Sequence, residues 1–388
     1  MGALRIYLAI SVVFHHCRFS NYASPTHMDG GVSVLLFFII SGFYISYIFN
    51  EKYSKLENPI KTFYTGRFLR IFPLYLVILA FAILFFRSIN QPSVFTSQLH
   101  LSDGFRGFLV LSNVFIFGQD FFNIFVEDMA NKSPLSNHIF AFLQSQNAAD
   151  IASNPVYVLI GQAWSLSIEL IFYAVAPFVV TRKKLVISLL LSSLVLRYIF
   201  YAAGFPPVPY QIRFFPTVFV FFLLGNISYF LYKELQLRKL PMQTIGGGIL
   251  LVATLFVVSS AHHNIGILPG ANFDTPSHWL LYIAITLAIP FLFAYSKNSP
   301  IDNFLGEFSY PVYLVHGLIL GYMVQPIQSL SVSGPILVAV YSLFFSWLLI
   351  FTVVKPCDAI KIRILKNRTT LEVPPQRSNA ASALEPSN

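Results

Sequence analysis

The chain has 388 residues, of which 56% are hydrophobic and only 11% charged, against about 25% charged in soluble domains. That balance excludes a soluble globular enzyme and indicates a polytopic membrane protein. The net charge of +9 reads as basic cytoplasmic loops rather than a nucleic-acid surface, so no nucleic-acid partner is expected.

The apolar segments run in chain order as follows. The first covers residues 4–17 and is short for a span unless its flanks extend it. MGALRIYLAISVVFHHC has the charge and apolar run of a signal peptide. No A-x-A site follows, however, and two histidines close the run, which marks a retained first helix. The eleven steps from Arg5 to His16 cover about 16 Å of helix, placing Arg5 near the inner face and His16 in the outer half. A second span is expected over 32–50. The third, 68–87, opens behind Arg67 and Arg70, which share one face at i, i+3 just before Pro73. Residues 88–158 form a long polar outer loop containing one short apolar stretch, 104–118. Loops of that length are commonly functional or disordered. Spans over 160–180, 184–201, 213–233, 244–261, 278–296, 309–325 and 334–354 complete the series. The final residues, TTLEVPPQRSNAASALEPSN, have the composition of a disordered tail. The expected architecture is an all-α membrane helix bundle of about ten transmembrane helices. It divides into a membrane domain over 1–356 and a cytoplasmic, largely disordered tail over 357–388.

Orientation follows from the basic residues. With the N-terminus inside and 104–118 not crossing, all of the 25 Lys and Arg fall on the cytoplasmic side except Arg18, Arg87, Arg106, Lys132, Arg197 and Arg213. Letting 104–118 cross would turn Arg182-Lys183-Lys184 and everything after it outward, against the positive-inside rule. That stretch is therefore expected to be interfacial or re-entrant, with both termini cytoplasmic. Cys17 and Cys357 then lie roughly 30 Å apart, beyond disulfide reach.

Polar groups inside apolar segments are costly and mark function by default. His15 and His16 can supply a general base or nucleophile near neutral pH, or face headgroups as interface residues. Arg67 and Arg70 suit a phosphate or pyrophosphate clamp, or simple cytoplasmic anchoring. Ser165, Glu169 and Tyr173 form an i, i+4, i+8 stripe after Trp164, and Glu169 calls for a histidine or arginine from another helix, or a structural hydrogen bond in the bundle. Tyr313 and His316 share a face near mid-membrane. No phosphate-loop, dinucleotide or hydrolase motif and no metal-spaced Cys/His set is present; His262-His263 reads as a solvated pair, and no metal is expected.

In this order the motifs resemble the acyltransferase family 3 membrane proteins, which O-acylate extracytoplasmic glycans. The resemblance covers the chain to about residue 354. It rests on Leu4-Arg5 with His16 eleven residues on, FFIISGF (Phe37 to Phe43, including Ser41), Arg67-x-x-Arg70 before Pro73, WSLSIELIFY (Trp164 to Tyr173) and SYPVYLVH (Ser309 to His316). The sequence departs at Ile6, where the family has Gly, and at Leu35, where an acidic residue is common. The resemblance implies a catalytic His16, acting as base or acyl carrier, with Glu169 orienting or charge-balancing it. It assigns Arg67 and Arg70, with Arg5 in second rank, to an acyl-CoA donor, usually acetyl-CoA. Ser41, Trp164, Ser165, Tyr173, Tyr313 and His316 stand as substrate or supporting residues. It also implies a multi-pass protein of the bacterial inner membrane, a carbohydrate acceptor such as exopolysaccharide or O-antigen of lipopolysaccharide, and glycan-synthesis machinery as a partner.

Two other classes compete. A transporter or flippase for a lipid-linked sugar or polysaccharide also buries Arg, Glu and His, but tends to show inverted repeats, and none is visible. A non-catalytic assembly protein of polysaccharide export has no use for the His16, Glu169 and His316 set.

Overall fold

The computed structural model describes residues 1–17, 28–88, 103–130, 157–237, 273–329 and 333–369, together with Thr26 and Phe95. Every regular element among them is helical. In chain order these are α1 (Gly2–His16), α2 (Gly30–Glu51), α3 (Pro59–Ser88), α4 (Asp103–Phe115), α5 (Gln119–Ala130), α6 (Trp164–Val179), α7 (Lys183–Ala202), α8 (Phe215–Leu237), α9 (Pro276–Ser296), α10 (Pro300–Ser329), α11 (Ser333–Leu349) and α12 (Lys355–Thr369). A short turn, Pro207–Tyr210, precedes α8, and a π-helical turn, Ile350–Val354, joins α11 to α12.

Among the described residues, 7 helices are long and apolar enough to cross a membrane. They correspond to α2, α3, α6, α7, α8, α9 and the continuous α11–α12 segment. The expectation of ten is therefore met only for these. Helix α1 has 15 residues, about 22 Å of rise, which is short of a 30 Å hydrocarbon core. Helix α10 is long enough at 30 residues, but its Ser, Tyr, Glu and His keep it out of the apolar class. The expected span 244–261 and the tail beyond Thr369 lie outside the described residues, as does His262-His263. Helices α8 and α9 run parallel: Phe221 near the start of α8 meets Trp279 and Tyr282, and Tyr232 near its end meets Phe293.

Helix association in lipid relies on close packing and interhelical hydrogen bonds rather than on a hydrophobic difference. The α2–α8 pair shows both. A Cβ on Gly42 would come within 2.0 Å of Phe222 O, and one on Gly225 within 2.0 Å of Ile39 O. The two backbones thus touch at a glycine crossing. Phe38 and Phe172 stack on Phe222 from two helices, and Asn226 Nδ2 donates to Ser46 Oγ at 2.6 Å. Helices α1 and α10 pack equally closely, with Gly2 against Asp302 and Gly306. Asp302 also accepts the N–H groups of Gly2 (2.7 Å) and Ala3 (2.9 Å), satisfying donors that the start of a helix leaves orphaned. Helix α7 lies on the rim, with Leu191, Val195, Tyr198 and Ile199 exposed. Its Arg197 turns inward instead, donating to Asp274 Oδ1 at 2.6 Å and to Gln211 O at 2.7 Å.

One boundary differs from the sequence reading. Helix α3 begins at Pro59, ahead of the expected 68, because Thr62 and Phe63 are buried and extend its packed face downward. Arg67 and Arg70 therefore sit about 12 Å or more up the helix from its start, rather than at its mouth. The first residues of the expected tail are helical, since α12 continues to Thr369 and packs beside α3.

The stretch 104–118 is the 13-residue α4 and the turn after it, about 20 Å long and too short to span by itself. Asn113 fastens it: its backbone O accepts from Tyr75 of α3 at 2.5 Å, and its side chain bonds Tyr157 O at 2.8 Å and Leu159 N at 3.0 Å.

Candidate active site

A cavity of about 340 Å³ lies among α1, α2, α3, α6, α10 and α12. It follows α2 from Val34 to Ile48, about 21 Å of helix. Each helix contributes polar groups to it because the residues flanking them are apolar and face lipid or neighbours, leaving the polar stripe to turn inward.

The end nearer the starts of α1 and α3 is cationic. Arg5, Arg67, Arg70 and Lys361 all line it, from α1, α3 and α12. Arg67 is 7% exposed, and its guanidinium lies between the rings of Phe63 and Tyr173, each centroid 5.8 Å away. Its Nε is buried without a hydrogen-bond partner. Arg5 lies 5.9 Å from the Tyr44 ring. Two acids, Glu169 and Glu307, share the lining, and Glu307 Oε2 is likewise buried without a partner. Unmet polar atoms of both kinds in one cavity are costly unless a ligand satisfies them.

Of the two partners the sequence left open for Glu169, a histidine or arginine and a structural hydrogen bond in the bundle, the described contacts are of the second kind. Glu169 Oε1 accepts from Ser41 Oγ at 2.6 Å and from Tyr173 OH at 2.5 Å. Neither histidine of the site touches it. The reason is register: Glu169 lies more than a turn along α6 from Ser165, level with the cationic end, while His16 closes the far end of α1.

At the other end, Ser165 Oγ and Tyr313 OH are 2.7 Å apart, and Tyr313 also donates to Gln162 O at 3.1 Å. Gln162 in turn donates to Leu314 O at 2.7 Å, so the turn before α6 is locked to α10. The Tyr313 ring lies 5.9 Å from that of buried His316, and His316 lies 5.1 Å from His16. His16 is exposed and is not part of the cavity lining; Tyr313 and His316 lead from one to the other. His16 Nδ1 is 2.9 Å from Val12 O. A carbonyl only accepts, so Nδ1 carries the proton and Nε2 of the neutral ring keeps its lone pair. His316 Nδ1 meets Val312 O at 3.3 Å in the same way. Trp164 stands beneath the Arg213 guanidinium, 5.3 Å away.

His15 stays edge-on to His16, with ring centroids 5.5 Å apart, and brings its Nδ1 to 3.1 Å from Asp29 Oδ2. Asp29 caps α2 through the N–H of Gly31 at 2.7 Å. Burial alone would raise this acid, but the His15 ring and the Gly31 and Val32 amides bring it down to about 2.

Thus Arg5, Ser41, Arg67, Arg70, Ser165, Glu169, Tyr173 and Tyr313 share one cavity, and His16 and His316 form a second group beyond Tyr313. Sequence reasoning missed Lys361, which lies past the last apolar segment, and Glu307, whose polar setting on α10 hid it. Among the described residues no group of three or more His, Cys, Asp or Glu is arranged to hold a metal ion. In comparisons with known proteins, the acyltransferase 3 family, described as an acyltransferase domain, matches residues 1–353. No curated protein and no solved structure matches the chain.

Proposed function

The chain belongs to this acyltransferase family, and on that premise we propose that it is a multi-pass membrane O-acyltransferase. In this reading it moves an acyl group, acetyl in the first instance, from cytoplasmic acyl-CoA to a hydroxyl of a cell-surface or exported carbohydrate in a bacterial inner membrane. One observation carries the reading: a cavity with Arg5, Arg67 and Arg70 at one end leads through Tyr313 to a histidine pair at the other.

The cationic end would bind the donor's phosphates, and the orphaned Nε of Arg67 is the kind of donor that an anionic oxygen satisfies. The thioester arm would lie along α2 toward Ser165 and Tyr313. The acceptor hydroxyl would meet His16 from outside, where Nε2 takes its proton. The hydroxyl oxygen forms the new bond to the acyl carbon, the carbon–sulfur bond breaks, and the proton passes to the leaving thiolate. His316, buried beside His16, is placed to relay that proton. Glu169, held by Ser41 and Tyr173, moderates the positive charge around Arg5 and Arg67 and is a cavity residue in this scheme, not a partner of His16.

The test is acetyl transfer in membranes given radiolabelled acetyl-CoA, with label followed into polymer. His16→Ala is expected to remove transfer by at least about a hundredfold, the usual share of general-base catalysis, while protein abundance holds. Arg67→Ala is expected to weaken donor binding by about tenfold or more. Normal glycan acylation by the His16 variant would sink the assignment.

A further inference from the structure

Lys361 is a cavity cation that lies beyond the last apolar span the sequence displays. It stands on α12, whose continuation from α11 passes through the π-helical turn at Ile350–Val354. A π turn adds a residue to the helical repeat, so it rotates the face that the following helix presents. Past this turn α12 lies beside α3. There the Lys361 stem comes close to Gly66, a position where a built Cβ would stand 3.8 Å from Lys361 Cε. The side chain is 21% exposed, and its ion pair with Asp358 is long at 3.8 Å, with the acid 38% exposed. That pair neutralises little, since a pair at such distance whose acid is exposed to solvent is weak. Lys361 thus lines the cavity beside Arg67 and Arg70 as a largely uncompensated charge, next to a guanidinium Nε that has no partner.

We propose that Lys361 is a donor-binding residue, holding phosphate oxygens of the acyl donor together with Arg67 and Arg70. The inference rests on the acyl-CoA reading above and extends it. Two arginines match the planar, bidentate geometry of a diphosphate, whereas a lysine is a mobile point charge suited to an additional phosphate oxygen. The site as built therefore selects a donor bearing several phosphates over a simple thioester. It also makes α12 part of the enzyme's working domain. A headgroup phosphate of the inner leaflet is the other anion within reach of a helix in this position, and binding measurements separate the two.

The experiment is equilibrium binding of radiolabelled acetyl-CoA to the purified full chain in nanodiscs, across a range of salt concentrations. Lys361→Gln is expected to weaken binding about tenfold, the worth of one charge-assisted contact. It should also flatten the salt dependence, because one fewer ionic contact is screened. Lys361→Arg is expected to keep the wild-type salt dependence. Unchanged affinity in Lys361→Gln would overturn the proposal and leave the lysine as a headgroup anchor. An affinity loss with unaltered salt dependence would overturn it too, as the mark of indirect damage. Arg67→Ala separates the two levels. If it weakens binding while Lys361→Gln does not, only this inference falls; if neither variant moves, the donor reading falls with it.

Discussion

Asp29 links two helix ends through one charge. It caps α2 and faces His15 at the end of α1. Its acid is held at about 2, below the ordinary value near ~3.9. The folded state therefore binds its proton less readily than the unfolded chain. Its stabilising contribution is complete above the ordinary carboxylate range and is lost as pH falls from about 4 toward 2. Asp29→Asn keeps a capping oxygen and removes the charge. Its thermal midpoint in detergent should lie below wild type from pH 7 to pH 5, by the equivalent of about 1 kcal/mol for the lost charge at the helix start, with the difference closing as pH drops below about 4. A difference that stays constant into the acid range would show that the charge has no part in it. Side chains of this kind divide by legibility. Arg5, His16, Glu169 and His316 stand out in the sequence because lipid expels charge, so each ionisable group in an apolar run demands a reason. Asp29 and Lys361 lie just outside those runs, where charge is ordinary, and only the fold shows which of them turns toward another helix.

Elements were legible in their apolar middles and illegible at their ends. Hydropathy locates α2, α7, α8 and α9 because each must hide its backbone polar groups in a helix to cross lipid at all. It does not find the first turns of α3, where Thr62 and Phe63 are buried by packing against protein rather than by lipid. Nor does it give α12, which is polar overall. Pairings between elements were not legible either, because the residues that set them are too small to register as a pattern. Gly42 and Gly225 are the sharpest case. Adding a methyl to Gly225 places a carbon 2.0 Å from Ile39 O, and a backbone oxygen cannot move aside as a flexible side chain would. Helices α2 and α8 would have to separate, opening Phe38, Phe172 and Phe222 along with them. Gly225→Ala is therefore expected to cost about 1–3 kcal/mol or more. The readout is a lower thermal midpoint and a smaller monodisperse fraction on size-exclusion in detergent. Gly161→Ala, where nothing lies within 4 Å of the added carbon, is the matched control and should behave as wild type. Equal behaviour of the two variants would remove the glycine crossing from the account of how these helices associate.

Across the whole molecule, chemistry is separated along one axis. The cavity's cations lie toward the starts of α1 and α3, beside α12, and the histidine pair stands where α1 ends and α6 begins. On the proposed reading, a donor confined to the cytoplasm and an acceptor outside it can both be served only if this axis is also the membrane normal, with the cationic end inward. Helix directions fit such an arrangement. The starts of α1 and α10 meet at Gly2 and Gly306, the end of α1 meets the middle of α10 at His16 and His316, and α8 and α9 run parallel. The positive-inside rule predicts the sign of the axis, since Lys183 and Lys184 start α7 and Ala203 follows its end. The sign is tested directly by replacing Cys17 and Cys357 with serine and adding single cysteines, Lys184→Cys and Ala203→Cys, both at exposed positions. A membrane-impermeant maleimide should label Ala203→Cys in intact spheroplasts and Lys184→Cys only after the membrane is inverted or permeabilised. The opposite pattern would put the arginines on the side where acyl-CoA is absent. The donor reading would then fail even if every distance in the cavity were correct, because affinity for a phosphate has no consequence on a face its carrier does not reach.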